Sequence, residues 1–350
     1  MGASPCPVAV GRMEPGLPYS GRMDREFPGK GSTPTNGRIM AGKKLTVALL
    51  AGGKSAEREV SLKSGDQVFR ALDKERYEIL RYDPRDDLPR LAQDAGRIDV
   101  ALIILHGRLG EDGTIQGFLD LLNIPYQGSG VLGSALAMNK VLSKQLYVQA
   151  GLPTAPFVVM DRTGSKAALH MFDQLGLPVV VKPEHEGSSI GLSIVRSPEQ
   201  FPQALEDAWQ FDRRCLVEKF IAGMEITGGV LGNDSLLALP LIEIVPSSGH
   251  EFFDYSAKYS PGASDEICPA RLSPELTAKA QDYARRAHQA LCCRGYSRTD
   301  MIVSDDEIFV LETNTIPGMT ETSLFPQSAA VAGFPFSTLL DRLIELALER

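Results

Sequence analysis

Two apolar runs, Asp300-Met-Ile-Val-Ser304 and Ile308-Phe-Val-Leu-Glu312-Thr-Asn314, flank a polar turn and carry acidic or amide groups at their outer ends. A turn over Asp305 to Glu307 sets Ser304 against Ile308 and brings Asp300 opposite Glu312 on one face of a hairpin. Asn314 lies two residues further along and shares that face. With Asp305 and Asp306 alone in the turn, Asp300 would meet Leu311, and the shared face would need a bulge. Two carboxylates and an amide form an oxygen-only set suited to Mg²⁺, which keeps waters and substrate phosphates in its other positions. The chemistry implied is that of a nucleoside triphosphate. Asp305 and Asp306 read as solvated turn residues. A carboxylate that ends an apolar run, as Glu312 does, needs a partner.

Two further constellations fit phosphate and nucleoside. Val179-Val-Val-Lys182 ends in a cation and leads through Pro-Glu-His-Glu to Gly187-Ser188-Ser189-Ile-Gly191, a loop rich in backbone N–H groups and hydroxyls. Leu216-Val-Glu218-Lys219-Phe220-Ile221 places Glu218 at a strand end, where its carboxylate can accept from a ribose. The backbone between Glu218 and Phe220 can pair with an adenine edge.

The elements that position these groups alternate along the chain. Lys44 to Leu50 is a short apolar run; Ala51-Gly52-Gly53 turns it, and the segment from Ser55 through Glu57 to Ser61 opens a helix. A second unit runs from Asp99 to Leu105, through His106-Gly-Arg-Leu-Gly-Glu-Asp-Gly113, into a helix ending near Leu122. Repeated strand-loop-helix units imply parallel strands, with ligands gathered where strand C-termini meet helix N-termini. Glu57 and His106 both project there. Met138-Asn-Lys140 begins another helix, which stops at Gly151-Leu-Pro153. From Phe157 to Val195 and from Arg214 to Leu231, short β-branched runs read as a small α+β domain. The loop from Ser247 to Arg271 has the length of a lid, and Ser337 to Arg350 has the pattern of an amphipathic closing helix.

With 350 residues the chain has room for two or three domains. Its 36 basic and 44 acidic residues give a net charge of -8, which offers no broad footprint for nucleic acid or an anionic membrane. Five cysteines without CxxC spacing argue against a disulfide framework and a zinc site, and Cys292 and Cys293 read as buried small residues. Trp209 reads as packing. No apolar stretch approaches the roughly 18 to 20 residues of a membrane helix. The first 43 residues show no helical or strand period and no apolar signal core, so they read as a disordered extension of a cytoplasmic protein.

In this order the blocks resemble the ATP-grasp superfamily, and among its members the D-alanine D-alanine ligase family. The resemblance rests on Ala51 to Ser61, His106 to Gly113, Lys182 to Gly191, Asp254 to Tyr259, Arg298-Thr-Asp300 and Glu312 to Thr320, and it extends from about Leu45 to the C-terminus. It implies an α/β and α+β, three-domain ligase of ATP-grasp fold: an N-terminal parallel-sheet domain at 44–138, a central subdomain at 139–226 and a C-terminal subdomain at 227–350 with its lid at 247–271. It also implies that ATP phosphorylates one D-alanine and that the amine of a second attacks the acyl phosphate, a step in making peptidoglycan precursors.

The same resemblance assigns roles. Glu57 resembles the carboxylate that holds the first ammonium, with His106 beside it and with Ser188 and Tyr259 closing the site. Lys140 and Lys182 resemble the lysines on ATP phosphates, and Ser189, Glu218, Lys219, Phe220 and Glu225 the remaining nucleotide contacts. Lys258 and Ser323 resemble groups near the second carboxylate. Arg298 and the Gly318 N–H resemble the oxyanion donors. Asp300, Glu312 and Asn314 resemble holders of two Mg²⁺ ions, or Mn²⁺ in their place. A homodimer with no nucleic-acid or membrane partner is implied. Tyr259 favours an amine acceptor. The alternatives are an ATP-grasp ligase making D-alanyl-D-lactate or another dipeptide, and a nucleotide-binding module without catalysis. The Ser297 that precedes Arg298, where the family usually has glycine, removes no catalytic group.

Overall fold

Strand β1 (Leu45–Ala51) is buried almost end to end because both of its faces are covered. It sits between β2 (Tyr77–Tyr82) and β3 (Val100–Ile104) in a parallel sheet of order β2-β1-β3. Val47, Leu49, Val100 and Leu102 point to one side; Ala48, Leu50, Ala101 and Ile103 point to the other. Helices α1 (Arg58–Ala71), α2 (Leu88–Asp94) and α3 (Thr114–Leu121) complete this layer. The computed structural model describes residues 44–162, 168–246 and 264–349. The extension expected at 1–43, and Lys258 and Tyr259 with most of the expected lid, lie outside these residues. Strand β2 was not anticipated, since only two of its six residues are buried.

After α4 (Val131–Met138) and α5 (Lys140–Gln149) comes a second sheet, antiparallel, in the order β4-β7-β5-β6. Its strands are β4 (Phe157–Asp161), β5 (Val179–Pro183), β6 (Ser193–Val195) and β7 (Arg214–Lys219), with α6 (Ala168–Leu175) and α7 (Phe201–Ala208) between them. The third sheet has the order β11-β10-β8-β12-β13, with β9 paired to β8. Its members are β8 (Met224–Leu231), β9 (Leu237–Ala238), β10 (Ile242–Pro246), β11 (Ser264–Ile267), β12 (Tyr296–Ser304) and β13 (Glu307–Asn314).

Strand β8 (Met224–Leu231) belongs wholly to this third sheet, which therefore lies on both sides of the expected boundary at 226. Gly223 marks the crossing. A Cβ there would stand 2.2 Å from the Val303 carbonyl oxygen, so only glycine lets the backbones approach. Residues 264–267 of the expected lid are strand, paired with β10. Helix α5, assigned to the central subdomain, sends Tyr147 into the core of the third sheet.

Helix α8 (Pro274–Ala290) starts at Ser273, whose side chain accepts from the Leu276 N–H at 3.2 Å. It lays Ala280, Ala284 and Ala287 against Ile226, Val230, Met301, Ile308 and Val310. Beyond it Cys293 is buried but Cys292 is exposed in a left-handed turn, correcting the expectation for that pair. Helices α9 (Leu324–Val331) and α10 (Phe336–Leu348) follow, and α10 returns Leu339, Leu340, Leu343 and Ile344 to the first sheet. The closing helix therefore packs the C-terminal segment onto the first sheet.

Candidate active site

In the β12-β13 hairpin Ser304 pairs with Glu307, so Asp305 and Asp306 alone form the turn, both with positive φ. The expected three-residue turn is thus corrected. From Ser304 to Met301 the register would carry Asp300 to Leu311, but it shifts between Met301 and Asp300. Beyond the shift Asp300 pairs with Glu312, Thr299 with Thr313 and Arg298 with Asn314. This bulge decides the chemistry. In an unbroken strand Glu312 would share the face of Ile308 and Val310, toward α8. The extra residue, Leu311, turns Glu312 and Asn314 over to the side of Arg298 and Asp300.

Arg298 grips Asp300 with both ends of its fork, Nε to Oδ1 at 2.9 Å and Nη2 to Oδ2 at 2.8 Å. Thr227 of β8 also donates to Oδ1, at 2.6 Å. Burial works against the Arg298 charge, but Asp300 outweighs it and raises the guanidinium pKa further. On the other face Thr299 and Thr313 hydroxyls lie 3.0 Å apart, and Tyr147 donates to Thr313 at 2.8 Å. Asp300, Glu312 and Asn314 thus present hard oxygen donors from one face, a donor set that suits Mg²⁺.

Opposite stand the lysines. Val179 and Val181 fill the core of the second sheet, while Val180 and Lys182 face a cavity. Lys140, Ser189, Lys219, Phe220, Glu225, Asp300 and Glu312 also line it. Asn139 caps α5 by accepting from the Leu142 N–H at 2.9 Å, which sets Lys140 on the first turn. Lys140 Nζ donates to the Glu186 carbonyl, and its backbone N–H to Glu184 O at 3.0 Å. Burial pulls the Lys140 pKa down.

The loop carrying Gly187, Ser188 and Ser189 is anchored at its base. Arg214 grips Glu184, with Nε 2.8 Å from Oε2, and His185 Nδ1 lies 2.7 Å from Asp212. Glu218, expected to face a ribose, is held on both oxygens by lysines: Lys182 at 2.5 Å and Lys144 at 2.7 Å. Burial would raise its pKa, but the two lysines outweigh that and hold it down to about 2.

A second cavity adjoins the first, sharing Lys140, Glu186, Gly187 and Glu312 with it. Glu57, just before α1, and His106, just after β3, meet there, as parallel strand ends dictate. The Ser188 hydroxyl reaches across from the second sheet's loop and donates to Glu57. Arg298, Asn314, Gly318 and Ser323 close the far wall. A Cβ on Gly318 would lie 2.9 Å from the Ser323 hydroxyl, so a side chain there would push that hydroxyl aside. Burial lowers the His106 pKa and keeps the imidazole neutral. Beside it Glu111 accepts from the Gly107 N–H at 2.7 Å. Burial, with help from the Glu57 charge, pushes Glu111 up to about 8.

Residues 146–345 match the family model for the D-ala D-ala ligase C-terminus, and residues 46–87 and 83–129 match that for its N-terminus. The chain belongs to the D-alanine–D-alanine ligase family. A member from Syntrophobacter fumaroxidans is 74% identical over 310 residues, covering 89% of this chain and 100% of its own. One from Desulfotalea psychrophila is 56% identical, covering 88% and 96%. Among solved structures, a D-alanine–D-alanine ligase from Bacillus anthracis in complex with ATP superposes with TM-score 0.77 at 35% identity, covering 87% of this chain and 97% of that one. A D-Ala:D-Ser ligase from Enterococcus faecalis gives 0.76 at 32%, covering 87% and 100%.

The fold of this D-alanine–D-alanine ligase family member is therefore the mixed α/β and α+β architecture expected. Lys144 and Glu111 escaped the sequence reading. Lys144 follows Lys140 by four residues on one helix, a spacing that shares a face, but its burial depends on the third sheet. Glu111 stands in the His106 loop among polar residues, where nothing local marks it as enclosed.

Proposed function

We propose that this chain joins two D-alanine molecules to D-alanyl-D-alanine, converting ATP to ADP and phosphate. The observation that carries the reading is the bulged hairpin: it sets Arg298, Asp300, Glu312 and Asn314 on one face, at the seam between a lysine-lined cavity and one that holds Glu57. ATP occupies the first cavity, its phosphates toward Lys140 and Lys182 and its base along Lys219 and Phe220. Asp300, Glu312 and Asn314 would hold Mg²⁺ there; when bound, it offsets phosphate charge.

The first D-alanine lies in the second cavity, its ammonium on Glu57. Neutral His106 and protonated Glu111 leave that ammonium with one strong anionic partner. A carboxylate oxygen attacks the γ-phosphorus, ADP leaves, and D-alanyl phosphate forms. The amine of the second D-alanine, its carboxylate at Ser323, then attacks the carbonyl carbon and displaces phosphate. The Gly318 N–H and Arg298 receive the oxyanion of that tetrahedral state. Lys258 and Tyr259 belong to the same reading.

Three functional regions, at 44–138, at 139 to about 223 and from there to the C-terminus, supply these groups. A homodimer and a cytoplasmic location also belong to the reading; no described helix is long and apolar enough to cross a membrane. The test is product analysis: with ATP, Mg²⁺ and D-alanine, ADP and the dipeptide should appear together in equal amounts. Offering D-serine or D-lactate beside D-alanine tests the acceptor. A product formed only with D-lactate would contradict an amine acceptor.

A further inference from the structure

Lys144 is a fully buried cation that the steps above do not use. It lines neither cavity. Its Nζ donates to Thr154 Oγ1 at 2.5 Å, and Thr154 in turn donates to the Val310 carbonyl at 2.8 Å. The same ammonium lies 2.7 Å from Glu218 Oε2, a close buried ion pair. Lys182 holds the other oxygen, Oε1, and does face the nucleotide cavity. Glu218 thus has one lysine that is locked in place and one that an anionic ligand can reach.

The asymmetry bears on binding. Turning Lys182 toward phosphates takes a counter-ion from a buried carboxylate, and a buried charge stripped of its partner is strongly unfavourable. With Lys144 present, Glu218 keeps a cation whatever Lys182 does. We propose that Lys144 is a positioning residue, the fixed counter-ion of Glu218 that frees Lys182 to bind the phosphates of the nucleotide. The proposal rests on the nucleotide reading of the cavity.

The experiment compares dissociation constants for a non-hydrolysable ATP analogue and for adenosine. Lys144→Met should weaken the analogue by about tenfold or more while adenosine changes by less than about threefold, because only the triphosphate requires Lys182 to leave Glu218. A scaffold role alone would weaken both ligands alike, and that result would overturn the proposal. The second arm holds even where Lys144→Met fails to fold. In a Glu218→Gln background no carboxylate can be stranded, so Glu218→Gln and Lys144→Met/Glu218→Gln should bind the analogue within about threefold of each other. A further tenfold loss in the double variant would overturn the idea. Lys182→Met separates the two readings: unchanged affinity for the analogue would overturn the nucleotide assignment itself, and this proposal with it.

Discussion

Replacing Glu111 with Gln should cost little activity at pH 7 and should remove a pH dependence from stability. The carboxyl titrates near 4.5 in an unfolded chain and near 8 in the fold, because it is buried beside Glu57. Between those values the unfolded chain has released the proton and the folded chain still holds it. Folded protein then binds more protons, so stability falls as pH rises from 4.5 to 8 and levels off above. The gap corresponds to at most about 5 kcal/mol, at 1.36 kcal/mol per pKa unit. At pH 7 roughly ten of eleven wild-type molecules carry the neutral acid. Glutamine imitates that form and can still accept from the Gly107 N–H. Urea denaturation from pH 5 to 9 should show a smaller decline for Glu111→Gln than for wild type, with the variant the more stable at alkaline pH. A folded variant that has lost ligation at pH 7, or an undiminished decline, would mean that Glu111 is not a protonated acid in the native fold.

Glu312→Gln should leave the unfolding free energy within about 1 kcal/mol of wild type, as a near-isosteric change at a functional site, yet abolish ligation; retained turnover would contradict its place in the metal set. Gly318→Ala pushes a methyl toward the Ser323 hydroxyl and should raise KM for the acceptor D-alanine more than for ATP, which initial-rate kinetics would separate. Gly223→Ala forces a Cβ onto the Val303 carbonyl and should destabilise the fold by about 1–3 kcal/mol or more, read by urea denaturation.

Much of the site was legible because its groups follow local rules. Lys182 ends a valine run, and Glu57 and His106 stand where parallel strands meet helices, so spacing alone placed them. The hairpin was legible in outcome but not in route. Its two-residue turn would have left Asp300 facing Leu311, and the bulge that restores Glu312 leaves no mark in the alternation of residue types. The break near Gly223 was hidden because apolar runs continue on both sides of it, and only the close approach to Val303 shows that one sheet has ended. Lys144, Glu111 and the pairing of Glu218 depend on enclosure by elements distant in the chain, which no window of sequence reports.

The proposed ligation runs through an acyl phosphate made from one D-alanine and opened by the amine of another. Ligation with D-alanine carrying ¹⁸O in both carboxylate oxygens tests it directly. One labelled oxygen should pass to inorganic phosphate for each dipeptide formed, because the bond broken in the second step lies between carbonyl carbon and bridging oxygen. Dipeptide formed with unlabelled phosphate would contradict the account.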